Sequence, residues 1–234
     1  MKSSGLVSVT KITQRICTVG FFNKIFGSTP KLQPLDLSLI KTDMHSHLIP
    51  GIDDGSKSLE DSLMMLRKFE QLGYQKVVTT PHVMSDFYKN TPDIILGGLE
   101  KVREAMAKDG LKIKIEAAAE YYLDFHFDDL IKQKKVLTFG QNHVLFELSF
   151  NDEPPRVKDT VFNLITEGYK PILAHIERYP FYINQWDKIE DFKERGVLLQ
   201  LNINSLSGHY GPPVKKMAEQ LIDRGWIDVI GSYC

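Results

Sequence analysis

The chain has 234 residues, 42% hydrophobic and 25% charged, enough for one large domain with its own apolar core. Lys and Arg total 29 against 30 Asp and Glu, so no net positive charge favours nucleic acid or a membrane surface. Two cysteines, Cys17 and Cys234, stand near opposite ends, which excludes a disulfide framework and a CxxC site and fits a reducing, cytoplasmic location.

The first forty residues differ from the rest. Lys2, Lys11, Arg15, Lys24, Lys31 and the nearby Lys41 face a single acid, Asp36. The apolar patch at 16–26 is interrupted by Asn23 and Lys24 and is too short to span a bilayer. It also lacks the clean apolar run and cleavage site of a signal peptide. Residues 1–35 read as a basic, flexible leader, with association to a membrane surface as the sharper alternative. The domain proper is expected over 36–234.

From residue 40 onward, short Val-, Ile- and Leu-rich runs alternate with stretches of helical periodicity. Strands are predicted over 39–44, 76–80, 113–118, 143–148, 171–174, 197–202 and 227–230. Helices are predicted over 58–72, 92–108, 125–134, 157–167, 186–195 and 213–224. Ser58 and Asp61 form a capping-box-like pair at the first helix, and Gly73 follows its end. Pro92 lies in the first turn of the second helix and Gly110 after its last. This alternation predicts an α/β fold with a parallel sheet and helical crossovers. Seven βα passes favour a closed or nearly closed barrel, and a doubly wound sheet is the alternative.

Ionisable residues gather where the predicted strands end. After the first strand comes Asp43-Met-His45-Ser-His47, then Asp53-Asp54-Gly55. Two histidines at i and i+2 on an extended segment share a side. The second strand runs into Thr80-Pro81-His82, the third into Glu120-Tyr121-Tyr122, and the fifth into Ala174-His175-Ile176-Glu177-Arg178. The fourth carries Glu147 within Val144-Leu145-Phe146-Glu147-Leu148. In a βα barrel the active site is built from the C-terminal strand ends, so these groups would converge. A single His at a strand end is more often a hydrogen-bonded structural residue than a ligand. Glu147 is expected to pair with Arg178 or to bind metal, because an uncompensated carboxylate in an apolar strand is costly. His126, His143 and His209 do not share the placement and read as structural or exposed.

The ligand set mixes His and carboxylate without Cys, unlike most structural zinc sites. It suits two or three ions such as manganese, iron or zinc, in the two-metal manner of phosphoester hydrolysis. Arg178 could grip phosphate bidentately. Phe87, Tyr88, Tyr121, Tyr122 and Tyr179 flank the motifs and could form an aromatic rim or simply pack.

These residues resemble the PHP (polymerase and histidinol phosphatase) superfamily, and more narrowly the CpsB/CapC-type bacterial tyrosine-protein phosphatases. The likeness covers about residues 36–234. It implies a distorted, TIM-barrel-like (β/α)7 fold with a trinuclear, usually manganese-dependent site. It implies hydrolysis of phosphotyrosine on bacterial tyrosine autokinases that control capsule and exopolysaccharide export. Carried over by residue, one metal would take His45, His47 and Glu120. A second would share Glu120 and add Glu147 and His175, a third would take Asp54 and His82, and Arg178 would hold phosphate. One departure stands out. The family pattern ends its last strand with Gly-Ser/Thr-Asp-x-His, whereas this chain reads Gly231-Ser232-Tyr233-Cys234 and stops. Tyr233 falls where a ligating Asp is expected, so the resemblance implies a truncated C-terminal end and a weakened first and third metal. The alternative functions are a PHP enzyme acting on a small phosphomonoester such as histidinol phosphate, and a degenerate scaffold without turnover.

Overall fold

The strand expected over 76–80 ends near Thr80 and Pro81, and a short strand not foreseen in the sequence follows them. In the computed structural model, which describes residues 39–234, β2 (Lys76–Thr79) stops before them and β3 (His82–Val83) resumes after them. Proline has no N–H to add to a ladder, so the strand breaks and re-aims at this point. The next strand breaks at the same height, into β4 (Lys114–Ala117) and β5 (Glu120–Tyr122). With β1 (Thr42–Ser46), β6 (His143–Glu147), β7 (Lys170–Leu173), β8 (Leu198–Asn202) and β9 (Val229–Gly231), two parallel ladders form, ordered β1-β2-β4 and β3-β5-β6-β7-β8-β9. Glu120 N–H donates to Pro81 C=O at 3.1 Å and Ala118 N–H to Thr79 C=O at 2.9 Å, carrying the pairing across the breaks. The nine segments are therefore seven staves.

The ring closes between its last and first staves. Tyr233 N–H donates to His45 C=O at 2.9 Å, and His47 N–H donates to Cys234 C=O at 2.6 Å. Asp43 also accepts from Ser232 N–H at 2.7 Å. The fold is thus an α/β distorted parallel barrel rather than a doubly wound sheet.

Seven α-helices lie among the described residues: α1 (Leu59–Gln71), α2 (Pro92–Asp109), α3 (Phe125–Lys132), α4 (Val157–Thr166), α5 (Trp186–Glu194), α6 (Ile203–Ser207) and α7 (Pro212–Asp223). Their starts follow capping chemistry. Ser58, Thr91 and Asp124 each accept a hydrogen bond from the backbone N–H three residues on. Gly110 ends α2 in the left-handed region at φ +77°, which glycine adopts without strain. The five-residue α6 and two 3-10 turns, Ile176–Arg178 and Pro180–Tyr182, are absent from the sequence reading because they are too short to show a period.

Two apolar clusters follow from the alternation of strand side chains. Val144 and Phe146 point outward into the larger one, where Leu66, Leu99, Val102 and Leu164 of the helices meet the sheet. Leu145 points inward, with Val78, Ala118, Ile172 and Ala174, and Met44, Leu198 and Val229 pack against them. Residues from every stave can meet only inside the ring, so this second cluster fills its interior. Glu147, two residues beyond Leu145, emerges on the same inward side above that filling. No helix among the described residues is long and apolar enough to cross a membrane. The leader expected over 1–35 lies outside the described residues.

Candidate metal centre

Glu120 is fully buried at the centre of the barrel mouth. Its Oε2 lies 3.0 Å from His45 Nε2, 3.2 Å from His82 Nδ1 and 3.5 Å from His47 Nε2. Its Oε1 lies 3.0 Å from His175 Nε2. Glu147 closes the inner side, 2.9 Å from His82 Nδ1 and 3.8 Å from His175 Nε2. Asp54, more exposed, reaches His82 Nε2 at 3.5 Å. The seven residues marked by sequence position as ligands thus form one continuous cluster drawn from successive strand ends.

Three trios within it have ligand atoms close enough to share an ion: His45, His47 and Glu120; His47, Asp54 and His82; and His82, Glu120 and Glu147. The first matches the trio implied by resemblance. The third trio seats His82 beside Glu120 and Glu147, where the resemblance implied His175. The pairing of Asp54 with His82 gains His47.

The contacts fit cations better than a hydrogen-bond network. His45 and His47 bring their Nε2 atoms within 3.3 Å of each other in front of one carboxylate oxygen. His82 Nδ1 is buried beside Glu147 yet makes no aligned hydrogen bond. A cation shared by these lone pairs would satisfy them together, and imidazole with carboxylate is a donor set for borderline divalent ions. The charge balance agrees. Burial would raise the Glu120 carboxyl, but His45, His175 and His82 hold it well below its usual value. Burial and the neighbouring Glu120 push Glu147 up to about 7. Burial opposes a charge on His82, but Glu147, Glu120 and Asp54 outweigh it and push the imidazole up to about 10. A proton held this firmly marks a place that calls for positive charge.

His175 starts the 3-10 turn from the left-handed region, at φ +32°. Such a conformation in a non-glycine residue costs about 1–3 kcal/mol and persists only where surroundings enforce it. Glu177 supplies part of that enforcement, accepting from Asn202 N–H at 3.0 Å and Ser205 O–H at 2.6 Å. The turn places Arg178 beside the cluster, three residues after His175, its guanidinium 4.2 Å from the Tyr210 ring centre, 4.8 Å from Phe150 and 4.9 Å from Tyr233. The alternative weighed for Glu147, pairing with Arg178, is not formed, because those rings hold the guanidinium while Glu147 faces His82 and His175.

Tyr233 enters the cluster as a ring. It presents an edge contact to His45, His47, His175 and His82, with centroids 5.0, 5.2, 5.5 and 6.5 Å away. Burial, then Glu120 and Glu147, push its phenol well above the usual value. The aromatic rim also differs in membership from its sequence outline. Tyr88 stacks on His82 at 5.4 Å and Phe150 on His175 at 5.5 Å. Tyr121 and Tyr179 are instead buried, their hydroxyls accepting from Leu137 N–H and Leu148 N–H.

Asp53 is the residue sequence reasoning passed over. Its carboxylate accepts from His47 Nδ1 at 2.8 Å and from His82 N–H at 3.1 Å. It thereby leaves the His47 Nε2 lone pair free to ligate. Asp53→Ala is expected to weaken metal affinity by roughly 10- to 100-fold, measured by competition with a chromophoric chelator. Unchanged affinity would remove Asp53 from this role.

A closed parallel barrel with a His and carboxylate cluster at its C-terminal mouth defines a distorted TIM-barrel-like protein with a candidate metal centre. The capsular polysaccharide synthesis CpsB/CapC family model matches residues 41–234, and the chain belongs to that family. Relatives include the tyrosine-protein phosphatase YwqE of Bacillus subtilis, 24% identical over 191 residues, 81% of this chain and 75% of that protein. The tyrosine-protein phosphatase CpsB of Streptococcus pneumoniae is 26% identical over 196 residues, 81% of each chain. Among solved structures, one from a study of YwqE and CpsB, described as unique metal-dependent tyrosine phosphatases, superposes with a TM-score of 0.77 at 23% identity. It covers 82% of this chain and 78% of that one. A putative histidinol phosphatase from Listeria monocytogenes gives 0.50 at 12% identity, covering 82% of this chain and 94% of that one.

Proposed function

We propose that this chain is a metal-dependent phosphatase that hydrolyses phosphotyrosine on proteins. The observation that carries the reading is Arg178. Its Nη1 is buried without a hydrogen-bond partner, and its guanidinium lies over the Tyr233 ring that edges the metal-type cluster, where an anion would complete it. Family membership and the relatives' described activity support the same conclusion.

His45, His47, Asp54, His82, Glu120, Glu147 and His175 would hold two or three ions, with manganese the proposed metal and iron or zinc the alternatives. When bound, such ions supply Lewis acidity to a water and to the phosphoryl oxygens. Arg178 binds the phosphate, held in orientation by the rings of Phe150 and Tyr210. Tyr88 and Phe150 offer faces beside the cluster for the substrate's phenyl ring. Water oxygen bonds to phosphorus as the P–O bond to the tyrosyl oxygen breaks. With a phenol pKa of about 10, that oxygen leaves without full protonation. The proposed substrate is a bacterial tyrosine autokinase of capsule or exopolysaccharide synthesis, met in the cytoplasm.

The test compares a phosphotyrosyl peptide with histidinol phosphate after loading with Mn2+. Release of phosphate from the peptide is expected. Turnover of histidinol phosphate alone would overturn the reading, and binding of the peptide without any release would favour a scaffold. Arg178→Ala is expected to cut kcat/KM by on the order of 10²-fold or more with metal content unchanged. Arg178→Lys is not expected to restore it, since an ammonium lacks the planar fork that stacks between rings. Metal loss in Arg178→Ala would contradict the assignment.

A further inference from the structure

We propose that Gln200 is a positioning residue that keeps a proton on His45 Nδ1, so that Nε2 is the nitrogen presented to a metal, and holds His175 in its strained turn. Gln200 lies in the middle of β8, fully buried between Leu199 and Leu201. Its side chain rises from the strand into the floor of the cluster. The orientation of its amide follows from chemistry. The backbone N–H of His175 lies 2.8 Å from the amide, and a backbone N–H can only donate, so the atom facing it is Oε1. That same oxygen is 3.1 Å from His45 Nδ1. An oxygen can only accept there, so Nδ1 carries the proton. His45 Nε2, 3.0 Å from Glu120, is then the nitrogen that faces the cluster; without metal it donates to that carboxylate, and a cation would replace that proton while Nδ1 keeps its own.

One oxygen thus governs two ligands. It keeps the proton on His45 Nδ1, and it anchors the N–H of a residue at φ +32° whose Nε2 also reaches Glu120 at 3.0 Å. The space around Gln200 is closed on the other side by Gly231. A Cβ there would come within 2.9 Å of Gln200 Nε2 and 2.4 Å of His45 Cβ. The glycine therefore lets β9 press the glutamine and the histidine together. Gln200 Nε2 has no partner of its own, so the residue is retained in an apolar strand for its oxygen.

The inference rests on the metal reading of the cluster, but its first readout is independent of metal and of turnover. Two full-length variants test it. Gln200→Met keeps length and volume while removing the strong acceptor, and Gln200→Glu keeps acceptor oxygens in place. In 15N-labelled apoprotein, long-range 1H–15N NMR is expected to show a proton on His45 Nδ1 in wild type and Gln200→Glu. Gln200→Met is expected to lose that signature. Its affinity for Mn2+ is expected to fall by roughly 10- to 100-fold, with Gln200→Glu restoring most of it. Retention of the Nδ1 proton and of wild-type affinity in Gln200→Met would overturn the proposal. Equal losses in both variants would overturn it too, since packing alone would then explain the position. A phosphatase assay negative for phosphotyrosine would leave the Nδ1 proton result standing, so the two readings fail separately.

Discussion

Glu120→Gln is expected to abolish phosphotyrosine hydrolysis and to strip the cluster of most of its metal. Four imidazoles converge on this one carboxylate, at 3.0 Å from His45 and His175, 3.2 Å from His82 and 3.5 Å from His47. Glutamine keeps the shape but offers one oxygen in place of two and no charge. It cannot bridge ions, and its NH2 would point donors at ring nitrogens that need lone pairs. The loss should exceed the roughly 10- to 100-fold change in metal affinity typical of a residue that only orients a ligand. In turnover the fall should exceed the roughly 10³-fold seen when one charge-stabilising donor is removed. Metal content after dialysis and kcat/KM on a phosphotyrosyl peptide check both. Near-normal metal content would show that Glu120 is only a partner for protonated histidines. The metal-free protein should suffer less. Breaking a buried ion pair costs about 3–5 kcal/mol when the remaining charge is stranded. Here His82 keeps Glu147 at 2.9 Å, so the stability loss on thermal unfolding should fall below that range.

The order in which these ligands appear was legible for a physical reason. Each is a polar residue directly after, or inside, an apolar run, and a parallel strand leads its last residues to one mouth. Glu147 illustrates the rule, since Leu145 two positions earlier points into the barrel filling and so fixes the side on which the acid emerges. The same reasoning could have found Gln200, an amide flanked by leucines, but an uncharged side chain raised no suspicion. Asp53 was less accessible. Two adjacent carboxylates look alike in sequence, and which one turns toward His47 depends on how the loop folds back against β1. The aromatic rim was legible only in part. Period-2 alternation sends Glu120 inward and Tyr121 outward into the core, whereas Phe150 and Tyr210 reach Arg178 from loops that no periodicity describes. The short strands β3 and β5, which lie beyond the expected 76–80 and 113–118, were missed for a similar reason. Pro81 signals an interruption, but nothing local tells that pairing resumes two residues later with a different ladder.

Gly55→Ala is expected to damage the centre almost as severely as loss of a ligand, although residue 55 contributes no ligand atom. A Cβ at this position would lie 2.3 Å from His47 Cβ and 2.4 Å from His47 C=O. Neither atom can swing aside, because His47 C=O is held by Ser56 N–H at 3.0 Å and His47 N–H by Cys234 C=O at 2.6 Å. The loop must move instead, and it carries Asp53 and Asp54. Gly55 N–H itself donates to Asp53 Oδ1 at 3.0 Å, so a shift at 55 pulls on the carboxylate that orients His47. Overpacking of this kind costs about 1–3 kcal/mol in stability. Metal affinity should fall at least as far as in Asp53→Ala, since Asp54 is displaced along with Asp53. Gly97→Ala is the matched control. Gly97 lies on the exposed face of α2 with nothing within 4 Å of an added Cβ. Alanine there should raise stability by up to about 1 kcal/mol through helix propensity, with metal affinity unchanged. If Gly55→Ala melts like Gly97→Ala and binds Mn2+ like wild type, then the loop is free to relax. In that case Asp53 and Asp54 do not depend on the close approach of residue 55 to His47.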